Sequence, residues 1–156
     1  MTLRRSAVAL LVAVLAASVA VLGYLVVQNR EMDDLRTIAV ASATQYVEEL
    51  ATYDYTDPSG NLDRVTASST ADFAASYRDV SDKLTGLLSQ GQGQATGHVT
   101  SAGVVELSSE RAVVALFLDQ SVRNLTVPGG RTDSSRMLVS LERDGDRWLL
   151  ASAEPR

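Results

Sequence analysis

The sequence predicts an α+β fold: an N-terminal transmembrane helix, then helices packed on one face of a curved antiparallel sheet. Three observations carry this. Residues 6–27 hold no charge, residues 33–89 repeat their apolar positions at spacings of three and four, and residues 97–154 change to short Val-, Leu- and Ser-rich runs divided by tight turns. Helices first and a meander afterwards is the pattern of a sheet covered on one face. At 156 residues there is room for one domain of ordinary size with an appended segment.

The run Ser6–Val27, SAVALLVAVLAASVAVLGYLVV, is 22 residues long. As a helix it spans about 33 Å, enough for a hydrocarbon core of about 30 Å. Arg4 and Arg5 stand just before it and no acid occurs before Glu31. The positive-inside rule therefore keeps residues 1–5 in the cytoplasm and places residues 28–156 outside it, with Tyr24 near the outer interface. The competing reading is a cleavable signal peptide, for which Ser18-Val19-Ala20 offers small residues at cleavage spacing. Against it, the apolar run exceeds the roughly 7–15 residues of a secretory h-region and continues past that site, which favours an uncleaved anchor in the cytoplasmic membrane. There is no Cys, so a lipidated cysteine, disulfides and thiolate metal sites are excluded.

All 19 acids lie after residue 30, whereas only 11 of the 14 basic residues do, which leaves that part of the chain at −8. Such a domain repels phosphate backbones and shows no basic patch, so nucleic acid is not expected as a partner.

The first helix runs through EMDDLRTIAVASATQYVEELATYDYTD. Leu35, Ile38, Ala39, Ser42, Tyr46 and Leu50 form its stripe, and the turn residues Asp57-Pro58-Ser59-Gly60-Asn61 follow its end. A second helical zone has a short segment around Leu62 and Val65, a break or cap at Ser68–Thr70, and a stripe of Phe73, Tyr77, Val80, Leu84 and Leu87. GQGQATG ends the periodicity. Four strands are then expected over His98–Leu107, Ala112–Arg123, Ser135–Arg143 and Arg147–Ala153, the last two joined by Asp144-Gly145-Asp146.

Several short motifs stand in a distinctive order. They are Tyr53-Asp54-Tyr55 at a helix end, Leu62-Asp63-Arg64-Val65, Thr70-Ala71-Asp72-Phe73 with Tyr77, Phe117-Leu118-Asp119-Gln120, and Asp146-Arg147-Trp148-Leu149. With the preceding anchor, this order and spacing resembles the actinobacterial Mce-associated membrane proteins, which accompany mammalian-cell-entry lipid importers. The resemblance covers nearly the whole chain. It implies a cystatin-like or nuclear-transport-factor-2-like (NTF2-like) cone of helices on a curved sheet, held outside the cytoplasmic membrane. It also implies an accessory role beside other subunits of a lipid or sterol import complex, with no catalytic residues or cofactors to carry over.

Among candidate site residues, Asp119 comes first, because a carboxylate held against apolar neighbours is what a general base at a pocket requires. Strand alternation instead puts Asp119 with Ala115, Phe117 and Ser121. Val114, Leu116, Leu118, Gln120 and Val122 form the fuller face that should meet the helices. Asp119 is then expected on the outer face, paired with an Arg of a neighbouring strand, and Asp119-Gln120 reads as contact or structure. His98, the sole histidine, reads as a solvated strand start without the partners of a metal site or a catalytic triad. Tyr46, Tyr53, Tyr55, Phe73, Tyr77, Phe117 and Trp148 are candidates for a lipid cavity or an interface, although helical spacing favours plain core for most of them. Tyr53-Asp54-Tyr55 is expected to fix the turn. Asn124-Leu125-Thr126 carries little weight as a sequon, and Gly129-Gly130 reads as a hairpin tip.

The expected function is therefore a non-enzymatic, membrane-anchored accessory subunit of a lipid-import complex. Two alternatives come from other classes. One is a scaffold subunit of a type IV-like secretion or conjugation machine. The other is a pocket enzyme of the isomerase or dehydratase kind, which requires Asp119 or His98 to face the cone interior beside a Tyr.

Overall fold

The computed structural model describes the backbone of residues 2–156 and the side chains of residue 15 and residues 17–156. The chain divides into two compact units, Met1–Leu35 and Arg36–Arg156. Helix α1 spans Thr2–Ala51. Among the described residues no helix is long and apolar enough to cross a membrane, and much of the span expected over 6–27 lies outside the residues whose side chains are described.

The second unit is an α+β layer. After α1 come β1 (Tyr53–Asp54), α2 (Pro58–Ala67), α3 (Ala71–Gly91) and four long strands: β2 (Gln94–Leu107), β3 (Arg111–Arg123), β4 (Arg131–Asp144) and β5 (Arg147–Pro155). The sheet order is β1-β2-β3-β4-β5, and every named neighbouring pair is antiparallel. The meander is the expected one. Strand β2 begins four residues before His98, inside the Gly- and Gln-rich stretch, because Gln94 and Ala95 pair with Asp54 and Tyr53. Tyr53 and Asp54 of the Tyr53-Asp54-Tyr55 motif thus form a short strand, and Tyr55 begins the turn that follows.

Within this unit α1 turns Ala39, Ala43, Val47 and Ala51 inward, all buried and four apart. The sequence stripe put Ile38 there too, yet it is about half exposed at 47%. The reason is steric. Small side chains let the helix end approach the sheet closely, and a Cβ on Gly97 of β2 would fall inside van der Waals distance of Ala51 Cβ and 3.2 Å from Leu118 Cδ1. The core between helices and sheet is completed by Val65, Val114, Leu116, Leu118, Val139, Leu141, Trp148 and Leu150.

Local chemistry sets the helix ends. Asp57 caps α2, its Oδ1 accepting from Gly60 N–H at 3.0 Å, with Pro58 in the first turn where a missing N–H costs nothing. Thr70 caps α3. That helix ends on Gln92 in the left-handed region (φ 50°, ψ 47°), where Gly93 N–H closes on Leu88 O at 2.9 Å. A side chain is unfavourable there, so Gln92→Gly is expected to raise stability by about 0.5–1 kcal/mol, read as a higher urea midpoint with an unchanged slope.

Helix-side groups cover parts of β5 and of β2 beyond its two-residue pairing with β1. On β2, Gly97 N–H donates to Thr52 Oγ1 at 3.1 Å and Val99 N–H to Glu48 Oε1 at 2.9 Å. On β5, Leu150 exchanges hydrogen bonds of 2.9 Å with Ser68 O and Thr70 N–H in the linker between α2 and α3. Farther along β2 the register shifts at Val99/Ser101 and at Val104/Glu106, irregularities that keep an open edge from templating another strand.

Candidate functional site

Alternation in β3 separates two faces. Val114, Leu116 and Leu118 are buried, and Gln120 sends its Nε2–H to Ala51 O at 2.7 Å, tying the sheet to the end of α1. Asp119 points the other way. It stands between His98 on β2 and Ser134 on β4, and its Oδ1 accepts from Ser134 Oγ at 2.6 Å. The partner is a hydroxyl and not the expected Arg. The Arg of β4 nearest in sequence, Arg136, lies instead over the half-exposed Phe117 ring at 6.0 Å. His98 is largely exposed, with Nδ1 3.2 Å from Glu48 Oε1. Neither Asp119 nor His98 is among the residues lining the two described cavities that hold a tyrosine.

The aromatic residues fall into separate groups. Trp148 is the largest buried side chain, 2% exposed, and its carbonyl accepts from Tyr46 Oη at 2.6 Å, which joins α1 to β5. Both serve the core. Phe73 and Tyr77 stack on α3 with ring centroids 6.2 Å apart. Tyr55 is held through its backbone N–H to Gly93 O at 3.1 Å. Of the expected residues, Tyr53 and Tyr77 line one cavity among the described residues.

That cavity, of about 320 Å³, opens between the last turn of α1, β1, the start of α2 and the second half of α3. Leu50, Tyr53, Pro58, Val80, Leu84 and Leu88 supply its apolar wall, and Asn61, Tyr77, Ser81, Thr85 and Asp54 supply polar atoms. Asn61 is the buried polar residue of this region, 6% exposed. Its Nδ2 donates to Glu49 O (2.9 Å) and Thr52 O (2.7 Å), and its Oδ1 accepts from Tyr77 Oη at 2.6 Å. Two backbone carbonyls facing the amide fix its orientation, since the flipped form would set oxygen against oxygen. Burial pushes the Tyr77 phenol above its ordinary pKa, against smaller opposing effects of Asn61 and of the charge on Arg64. At the rim, Asp54 is held below the usual carboxylate range by hydrogen bonds from the Thr56 backbone and hydroxyl.

The stripe Phe73-Tyr77-Val80-Leu84-Leu87 read from the sequence is only half buried. Val80, Leu84 and Leu87 are 49%, 45% and 65% exposed. Asn61 was legible only as a turn residue, because nothing in Pro58-Ser59-Gly60-Asn61 signals that its amide will be inside. Among the described residues no group of three or more His, Asp or Glu side chains is placed to hold a metal ion.

The architecture, helices on a curved antiparallel sheet, recurs in solved structures described as a type IV secretion system protein and a VirB8 homolog. An IcmL-like type IV secretion system protein of Legionella pneumophila superposes with a TM-score of 0.64, over 78% of this chain and 91% of that one, at 12% identity. A periplasmic fragment of TraM gives 0.62 over 77% and 96%, at 9% identity. CagV, a VirB8 homolog of Helicobacter pylori, gives 0.58 over 76% and 96%, at 8% identity. Likeness at these identities concerns the fold alone. Family membership comes from sequence: residues 3–152 match the family described as "Uncharacterized protein Rv1363c/MT1408-like", and the chain belongs to it. It is also 28% identical over 121 residues to the Mycobacterium tuberculosis proteins named outer membrane protein MT2024.1 and outer membrane protein Rv1973, covering 77% of this chain and 75% of each relative.

Proposed function

We propose that the protein is a non-enzymatic, membrane-anchored accessory subunit of a mammalian-cell-entry lipid-import complex. The observation that carries the reading is the uncharged run Ser6–Val27 preceding a domain whose fold recurs in a periplasmic fragment of TraM and the periplasmic domain of DotI. The relatives named as outer membrane proteins support an association with the cell envelope, and the order of motifs from Tyr53-Asp54-Tyr55 to Asp146-Arg147-Trp148-Leu149 supports the link to lipid importers. In this reading residues 6–27 cross the cytoplasmic membrane with residues 1–5 inside, and the −8 charge beyond residue 30 keeps the domain off anionic head groups. Asp119 sits outside the helix-facing side, which favours contact over catalysis.

The test is a deletion strain. Removing the protein is expected to lower the steady-state level of importer subunits and to shift the importer to a smaller species on native gels. Unchanged levels and migration, with the protein running alone in detergent extracts, would contradict the reading. A second reading, a scaffold in a secretion or conjugation machine, is favoured by the VirB8-type fold. Co-purification with an ATPase-driven secretion core in place of a lipid permease would select it.

A further inference from the structure

We propose that the cavity between α1, β1, α2 and α3 is a binding site for an uncharged, single-chain apolar molecule that presents one hydroxyl group, a neutral lipid alcohol. The inference is independent of which complex the protein serves. Its volume of about 320 Å³ is at the lower end of small-molecule sites, and its make-up is theirs: an apolar wall with a few convergent polar atoms. The wall explains an oddity of α3. A stripe at helical spacing is normally covered, yet Val80 and Leu84 stand about half exposed on the cavity side.

The polar end selects the head group. Both Nδ2 hydrogens of Asn61 are engaged by Glu49 O and Thr52 O, the Tyr77 hydroxyl donates to Asn61 Oδ1, and the Thr85 hydroxyl donates to Ser81 O at 2.8 Å. What remains open on these groups is acceptor capacity on Tyr77 Oη, Asn61 Oδ1 and Thr85 Oγ1, while the Ser81 and Tyr53 hydroxyls can turn either way. An occupant therefore gains most by donating a hydrogen bond. Charge points in the same direction. Among the described residues no Arg, Lys or His lines the cavity, Asp54 stands at its rim, and Arg64, whose charge is felt at Tyr77, lines a neighbouring cleft that shares Tyr53 and Asp54. An anionic head group would meet a carboxylate without a cation in the wall. An alcohol meets acceptors that bury it without an unpaired group.

The experiment titrates the full chain, in a non-ionic detergent and with 13C-labelled methyl groups, with 1-decanol, decyl methyl ether and decanoate at pH 8. Decanol is expected to shift the Val80, Leu84 and Leu88 methyl signals saturably, and the ether and decanoate to bind about tenfold more weakly for want of the donated hydrogen bond. Leu84→Trp, at a half-exposed position, should fill the cavity and abolish the shifts while the remaining spectrum is retained. Equal binding of all three probes would show a non-selective apolar patch and overturn the inference, as would no saturable shift with decanol. Shifts of the same methyls on raising protein concentration without any probe would identify a second copy of the chain as the occupant, and would overturn it too.

Discussion

Trp148→Ala is expected to lower the free energy of unfolding by about 3–5 kcal/mol, a large share of the roughly 5–15 kcal/mol that holds a domain of this size together. Trp148 is 2% exposed and is the bulkiest of the side chains that fill the space between helices and sheet. The other large, fully enclosed core side chains are Leu116, Leu141, Leu150, Val47, Val65, Val114 and Val139, and enclosed side chains relax little into a cavity. The Tyr46 hydroxyl donates to the Trp148 carbonyl, a backbone atom that the substitution keeps. The loss is therefore one of packing, not of the α1–β5 hydrogen bond. Because this is the sole tryptophan, urea titrations should follow far-UV circular dichroism in both proteins. A loss below about 1 kcal/mol would place Trp148 in a lipid-facing or solvent-facing position instead of the core.

Gly97→Ala is expected to cost about 1–3 kcal/mol by overpacking. The new Cβ would meet Ala51 Cβ and lie 3.2 Å from Leu118 Cδ1. Ala51 has no rotamer with which to yield, so the end of α1 must withdraw from β2. That movement strains the hydrogen bonds from Gly97 N–H to Thr52 Oγ1 and from Gln120 Nε2–H to Ala51 O. The cause is separable from any backbone effect of alanine in a strand. In the double variant with Ala51→Gly, the clash with Ala51 Cβ disappears and the loss should be smaller than the sum of the single losses by about 1 kcal/mol. Strict additivity would show that the close approach of helix and sheet is not the reason for a glycine there.

Much of this fold was legible in the sequence. The change from helical to strand period located the boundary between layers, and the alternation along Val113–Val122 assigned the buried face of β3 and the outward direction of Asp119. Period is a local property and survives without a partner. What the pattern missed depends on distant contacts. The stripe of α1 read from the sequence holds Ile38, Ser42, Tyr46 and Leu50 beside Ala39, whereas the row buried against the sheet is Ala39, Ala43, Val47 and Ala51, because Gly97 allows close approach. Strand β1 is two residues long, below any periodic signal, and exists because Gln94 and Ala95 offer it an edge. The cavity was visible only in part, through Tyr53 and Tyr77. Asn61 reads as a loop residue until the carbonyls of Glu49 and Thr52, 12 and 9 residues earlier, are seen to hold its amide. Asp119 was read with the wrong kind of partner, since register brought Ser134 and not an Arg opposite it.

If the protein is the proposed subunit of a lipid importer, native mass spectrometry of the complex extracted gently from the membrane should show one assembly containing the intact chain, residues 1–27 included, together with the permease subunits. The chain released alone, or found with a secretion ATPase core in place of a permease, would contradict it.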